Sequence, residues 1–325
     1  MRAVICEAYG PPETLVLREV PDLAPGPGQV RIAIEACGVN FPDTLIIEGK
    51  YQFRPEPPFS PGGEVSGVVD AMGDDVTGVA IGDKVMAMSL YGGFAEQVLM
   101  SADALLRRPE AMPAAIAAGF TMTYGTSMHA LKQRADLQPG EVLLVLGAGG
   151  GVGLAAVEIG KAMGAVVIAA ASSSAKLDAA AAAGADHLIN YAEQDLRARI
   201  KEITDGRGVD VVYDPVGGPM FEAALRSTAW KGRALVVGFA SGEIPRVPVN
   251  LALLKGCAIV GVFWGAFRLR EVAEDNRNFD QLFAWWADGK LKPHIHEVAP
   301  LAEAGRVLED LAARRVVGKV VLACR

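Results

Sequence analysis

The run Val142-Leu143-Leu144-Val145-Leu146, followed at once by Gly147-Ala148-Gly149-Gly150-Gly151-Val152-Gly153 and an alanine-rich stretch to Lys161, constrains this chain more than any other feature. A short, unbroken apolar run predicts a strand buried on both faces. The glycines predict a turn, and the sequel predicts a helix whose first amides point back toward it. Such a turn is a phosphate cradle: glycine lets the backbone come within hydrogen-bonding reach of a pyrophosphate, and the helix N-terminus offers free N–H groups and a favourable dipole. The motif departs from a literal G-x-G-x-x-G. The frame that ends on Gly150-x-x-Gly153 has Ala148 in the first glycine position, and the frame that starts at Gly147 lacks the third glycine. The flanking strand and helix give the cluster its meaning. No G-K-[ST] follows, which disfavours a nucleoside-triphosphate loop.

Around this unit the sequence changes character. From Arg2 to about Arg108 short β-forming runs at 3–6, 15–18, 30–36, 64–69, 84–87 and 94–99 are separated by Pro-Gly-Pro-Gly at 25–28, Pro-Gly-Gly at 61–63 and Gly-Asp at 82–83. That spacing predicts a compact, barrel-like β module. Alanine-rich helix is expected at 111–118 and a second helix from about Thr126 to Arg134. Strands at 142–146, 165–171, 187–189, 209–213, 233–237 and 257–262 then alternate with helices at 152–163, 174–183, 195–203 and 219–229. The alternation predicts an α/β fold with a doubly wound parallel sheet. Beyond about Gly265 a helix around 279–286, a strand near 295–298, a helix at 301–313 and a last strand at 318–322 read as a tail that returns to the first module. The expected domains are therefore 1–124 with 265–325, and 125–264.

Composition narrows the partners. With 51% hydrophobic and 21% charged residues, the 325-residue chain is core-rich and globular. Its formal net charge of −7 gives no footprint for nucleic acid or an anionic membrane. The start of the chain reads as a strand and not as a signal peptide, and no apolar run reaches membrane-spanning length. Cys6, Cys37, Cys257 and Cys324 are far apart and form no metal-type pair, so free thiols in a reducing, cytoplasmic setting are expected.

The second strand of the alternating region decides the cofactor. In a dinucleotide-binding sheet that strand ends near the adenosine ribose, and an acid there holds the 2′-hydroxyl of NAD. Here it ends in Ala169-Ala170-Ala171-Ser172-Ser173-Ser174-Ala175-Lys176. Hydroxyls and a lysine replace the carboxylate, as a dianionic 2′-phosphate requires, so NADPH is the expected cofactor. The serines are also expected to cap the next helix.

Several further motifs together resemble one known family. Asn40-Phe41-Pro42-Asp43-Thr44, Gly49-Lys50-Tyr51, Pro61-Gly62-Gly63-Glu64-Val65-Ser66-Gly67, the loop at 148–153, Asn190-Tyr191, Asp214-Pro215-Val216-Gly217-Gly218, Gly238-Phe239-Ala240-Ser241-Gly242 and Gly318-Lys319 are similar, in order and spacing, to the zinc-free NADPH:quinone oxidoreductases of the medium-chain dehydrogenase/reductase superfamily. The resemblance implies a GroES-like β-rich catalytic domain, a Rossmann domain and a cleft that takes NADPH. It also implies that Gly150, Gly151 and Val152 contact the pyrophosphate. Ser172, Lys176 and Tyr191 would hold the 2′-phosphate, and Asn40, Thr126, Gly238, Phe239, Phe263 and Trp264 would surround the nicotinamide end. Phe239, Phe263 and Trp264 also read as core residues that follow buried strands.

Zinc-dependent members of the superfamily place a cysteine where this chain has Asn40 and a histidine where it has Gly63, so the resemblance implies no metal. His129, His187, His294 and His296 have no thiolate beside them in the sequence. Where family members often carry a tyrosine and an arginine, Leu45-Ile46-Ile47 stands, which implies a more apolar substrate wall with Tyr51 as the remaining phenol. The expected reaction is hydride transfer from NADPH to a quinone. Asn40 and Tyr51 would hydrogen-bond the acceptor, and Asp43 would hold the loop. Two alternatives stand beside it: reduction of activated C=C bonds in enones or enoyl thioesters, and a non-catalytic NADPH-binding sensor or structural protein. The β-forming run at 257–262 is an edge that a second copy would cover, which predicts a homodimer.

Overall fold

The computed structural model describes residues 1–325, which form two compact units: Met1–Met122 with Ile295–Arg325, and Thr123–His294. The first is β-rich. Its seven-stranded sheet is centred on the long strand Gln29–Val39, which pairs antiparallel with Glu64–Met72, Gln97–Ser101 and the C-terminal strand Lys319–Ala323. Val30, Ile32 and Ile34 alternate along that strand into a fully buried core with Val65, Val69 and Leu322. Arg2–Ile5 and Val16–Glu19 form a separate two-stranded ribbon.

The second unit holds the expected parallel sheet. Its strands lie in the order His187–Asn190, Val166–Ala171, Val142–Leu146, Val209–Asp214, Thr228–Val236, Ala258–Gly261. All neighbours are parallel. The order reverses between Val142–Leu146 and Val209–Asp214, and in such sheets ligands bind outside the strand C-termini at that reversal. Leu143, Leu144, Val145 and Leu146 are all fully buried, as an unbroken apolar run demands.

Several local expectations need correction. The helix expected from Thr126 begins at Thr121, runs to Met128 and continues as a π-helix over His129–Arg134. The helix expected to reach 229 stops at Arg226, because the next strand starts at Thr228 and pairs with Val209 before a bulge at which Lys231 takes a positive φ of 63°. Residues 265–294 were expected to fold with the β-rich unit, but they lie in the second unit. The helices Trp264–Arg270 and Val272–Ala287 are tied there by Trp264 Nε1, which donates to Asp275 (2.8 Å), and by Lys132 and Gln133, which donate to Asn278.

Candidate functional site

In the second unit the glycine turn is built around Gly147, which leaves the strand with φ 58°. Gly150 donates to the Gly147 carbonyl (3.0 Å) and caps the twelve-residue helix Gly151–Ala162 with no side-chain cap. Gly153 lets this helix sit on the turn: a Cβ there would lie 2.3 Å from the Gly147 oxygen. Ala148 occupies the first motif position without strain. It is fully buried, and its amide donates to the Ala170 carbonyl. Only the Gly147 oxygen, at 3.5 Å, stands near a Cβ built on Gly150, so this side of the turn is open. An open turn at the start of a three-turn helix fits a pyrophosphate, whose charge the first helical amides would meet.

The C-terminal end of Val166–Ala171 lies beside this turn. Lys176 packs the start of its side chain against Gly149, whose built Cβ would be 2.4 Å from the Lys176 Cβ. The Tyr191 amide donates to the Ala171 carbonyl, and Ser172 is exposed just beyond the strand. Ser172, Lys176 and Tyr191 thus gather at one strand end. Ser173 is the N-cap of Ser174–Ala182, but its side chain makes no cap hydrogen bond. No carboxylate stands at 171–176, as a 2′-phosphate site requires.

Further along the same edge, Asp214 shapes a loop whose role the sequence reading left open. Its buried carboxylate accepts from the amides of Val216 (2.7 Å) and Gly217 (3.0 Å), and burial holds its pKa above the ordinary range. The Asp214 carbonyl accepts from Val237 and Gly238, which sets Gly238 and Phe239 beside it. Phe263 is 70% exposed, whereas Trp264 is only 5% exposed and packs on Gly125. Of the expected aromatic residues, Phe239 and Phe263 are exposed and Trp264 belongs to the core. Thr126 is half-buried in the helix Thr121–Met128, next to Ser127, which donates to the Val152 carbonyl.

In the β-rich unit, Asn40 ends the central strand and begins the helix Phe41–Ile47. Asp43 Oδ2 accepts from the Asn40 amide (2.8 Å), so the acid holds the start of this helix. Burial pushes the Asp43 pKa up to about 7, against the Asn40 and Gly62 amides and the Lys319 charge, which lower it. The Asn40 side chain is engaged throughout. Its Oδ1 accepts from Lys319 Nζ at 2.7 Å, and its Nδ2 donates to Glu64 Oε2 at 2.9 Å and to the Gly38 carbonyl at 3.3 Å. Lys319 also donates to the Val39 carbonyl and to Glu64, whose Oε1 accepts from the Met122 amide. Asn40, Asp43, Glu64 and Lys319 are all buried. Asn40 therefore has no free N–H with which to meet an acceptor, contrary to the expectation that it hydrogen-bonds one.

Tyr51 differs: half-buried on the core, its hydroxyl makes no hydrogen bond within the chain. Burial, and then the Asp43 charge, raises the pKa of this phenol, so it stays protonated. Ile46 and Ile47 pack into the core and only Leu45 is partly exposed, so the expected apolar substrate wall shrinks to one residue.

No group of three or more His, Cys, Asp or Glu side chains is placed to hold a metal ion. His129 is stacked on Phe267 in the interior, where burial lowers its pKa, and His294 and His296 are exposed. No helix is long and apolar enough to cross a membrane.

Comparison with known proteins gives a consistent picture. Residues 26–110 match the family described as alcohol dehydrogenase GroES-like domain, and residues 151–284 match the family described as zinc-binding dehydrogenase. The chain is 38% identical over 325 residues to quinone oxidoreductase-like protein 2 of Bos taurus, covering 100% of this chain and 93% of the relative. It is 34% identical over 322 residues to a quinone oxidoreductase of Pseudomonas aeruginosa, covering 97% of each. The crystal structure of the Escherichia coli quinone oxidoreductase, solved in complex with NADPH, superposes with a TM-score of 0.92 at 30% identity over 99% of this chain and 100% of that one.

Proposed function

We propose that this chain, which belongs to the quinone oxidoreductase family of the medium-chain dehydrogenase/reductase superfamily, is a zinc-independent oxidoreductase that uses NADPH to reduce a quinone. The observation that carries the reading is the end of strand Val166–Ala171. There Ser172, Lys176 and Tyr191 gather beside the open glycine turn, and no acid repels a 2′-phosphate. NADPH, when bound, supplies the hydride.

The chain's own residues do the rest. The amides of Gly151 and Val152, with the open backbone at Gly150, hold the pyrophosphate. Ser172, Lys176 and Tyr191 hold the 2′-phosphate. Thr126, Gly238, Phe239 and Phe263 flank the nicotinamide end. Tyr51 donates its phenolic hydrogen bond to the acceptor oxygen as charge develops on it. Asn40 and Asp43 fix the segment that carries Tyr51. Reduction of a quinone adds a hydride and one proton, and the proton comes from Tyr51 or from water.

Zinc independence rests on the side chains at the two ligand positions. Asn40 is locked between Lys319 and Glu64, and a Cβ on Gly63 would already lie 3.1 Å from the Leu90 carbonyl. An enone or enoyl thioester is the second reading, favoured by the partly exposed, apolar Leu45. A panel of 1,4-quinones, enones and enoyl thioesters with NADPH separates the two. The cytoplasm is the proposed compartment, supported by the four free cysteines.

A homodimer is also proposed. Ala258–Gly261 is the sheet edge, and Trp230, Val249, Leu253 and Ile259 are exposed on that unit. A monomeric mass in light scattering would remove this claim.

A further inference from the structure

Lys319 lies 279 positions from Asn40 in the sequence, yet its ammonium is spent wholly on the Asn40 corner: Asn40 Oδ1 at 2.7 Å, the Val39 carbonyl at 2.9 Å and Glu64 Oε2 at 3.1 Å. An ammonium only donates, so the Asn40 atom that faces it must be the amide oxygen. A carboxylate only accepts, so the atom that faces Glu64 must be the amide nitrogen. Flipping the amide would set NH2 against ammonium and oxygen against carboxylate, so the two charges fix one orientation. Asn40 in turn starts the helix Phe41–Ile47 and donates its amide to Asp43.

We propose that Lys319 is a positioning residue for the reductase reaction: by clamping the Asn40 amide against Glu64, its buried ammonium sets the geometry of the segment from Asn40 to Tyr51. The proposal rests on the assignment of that segment to the acceptor. A neutral side chain of the same length fills the space but withdraws the donor from Asn40 Oδ1 and the counter-charge from Glu64, so the amide is held from its nitrogen side alone. The pair Lys319 and Glu64 is buried, so loss of one partner is felt strongly.

The charged and titratable groups that face Asp43 are Lys319, Glu64, the Cys37 thiol and the Tyr51 phenol. Removing the ammonium alone moves the Asp43 titration to higher pH, a change that can be read without any acceptor.

The test uses the full chain as wild type, Lys319→Met, Lys319→Arg and the double variant Lys319→Met/Glu64→Gln. Expected for Lys319→Met is a fall in turnover of about tenfold or more, with the NADPH dissociation constant within about twofold of wild type. The pH dependence of its thermal stability should move alkaline, and Lys319→Arg should recover much of the turnover. If Lys319→Met does not fold, the double variant, free of the unpaired carboxylate, carries the turnover and affinity readouts and should remain impaired. Wild-type turnover in Lys319→Met, or full turnover in the double variant, overturns the proposal. If wild-type protein reduces no acceptor, the functional reading fails, and the shift in the stability profile still decides whether Lys319 acts on this segment.

Discussion

Lys176 packs so tightly on Gly149 that a methyl group at Gly149 would stand 2.4 Å from the Lys176 Cβ and 3.0 Å from its Cα. The glycine turn and the strand end that carries Ser172 are therefore one rigid assembly. Gly149→Ala should push the two apart and cost about 1–3 kcal/mol of stability, as overpacking does. Calorimetric titration should show NADPH affinity falling with it. An unchanged melting temperature together with unchanged affinity would refute the packing argument.

The same contact separates the stem of Lys176 from its charge. Lys176→Met keeps the packed methylenes and removes the ammonium. NADPH binding should weaken by about 10–100-fold, the worth of a hydrogen bond to a charged group. Binding of NADH, which has no 2′-phosphate, should change little. Equal losses for the two cofactors would mean that Lys176 does not read the phosphate.

Tyr51→Phe should lower turnover by about tenfold or more while NADPH affinity stays the same, because only the developing charge on the acceptor uses the phenol. Turnover equal to wild type would assign the hydrogen bond and the proton to water.

Asp43 makes stability depend on pH with a definite sign. Its folded pKa is raised to about 7 by burial, above the unfolded value of about 3.9. The folded state therefore holds the proton more tightly, and the stability this contributes is complete below the unfolded value and is lost as pH rises through about 7. Glu158, raised to about 6 by burial, and Asp214, also raised by burial, act in the same direction. His129, lowered by burial, acts in the opposite one. The difference between wild type and Asp43→Asn isolates the one carboxyl. Relative to the variant, wild type should lose stability between about pH 4 and pH 7. A difference that does not vary with pH in thermal melts would exclude the raised pKa.

Much of this was legible from local pattern. The apolar run at 142–146 and its glycines could serve only a buried strand, a tight turn and a helix, and the absence of an acid at 171–176 needs no coordinates to be seen. What escaped was set by distance or by packing. Gly318-Lys319 was visible as a motif, but nothing local says that the ammonium reaches Asn40 and Glu64. Phe263 and Trp264 are adjacent aromatics with opposite fates, because only the indole finds a buried acceptor in Asp275. That same contact, with Asn278 bonded to Lys132 and Gln133, draws residues 265–294 into the second unit, whereas the sequence shows only a helix after a break. Ile46 and Ile47 looked like pocket wall until the helix Phe41–Ile47 turned them inward.

The most direct test of the central claim is the rate of NADPH oxidation by chelator-treated protein with and without a 1,4-quinone. The account predicts quinone-dependent oxidation of NADPH that survives removal of metal and runs far slower with NADH. Oxidation that requires added zinc, that prefers NADH, or that is no faster with quinone, enone or enoyl thioester than without them would contradict it.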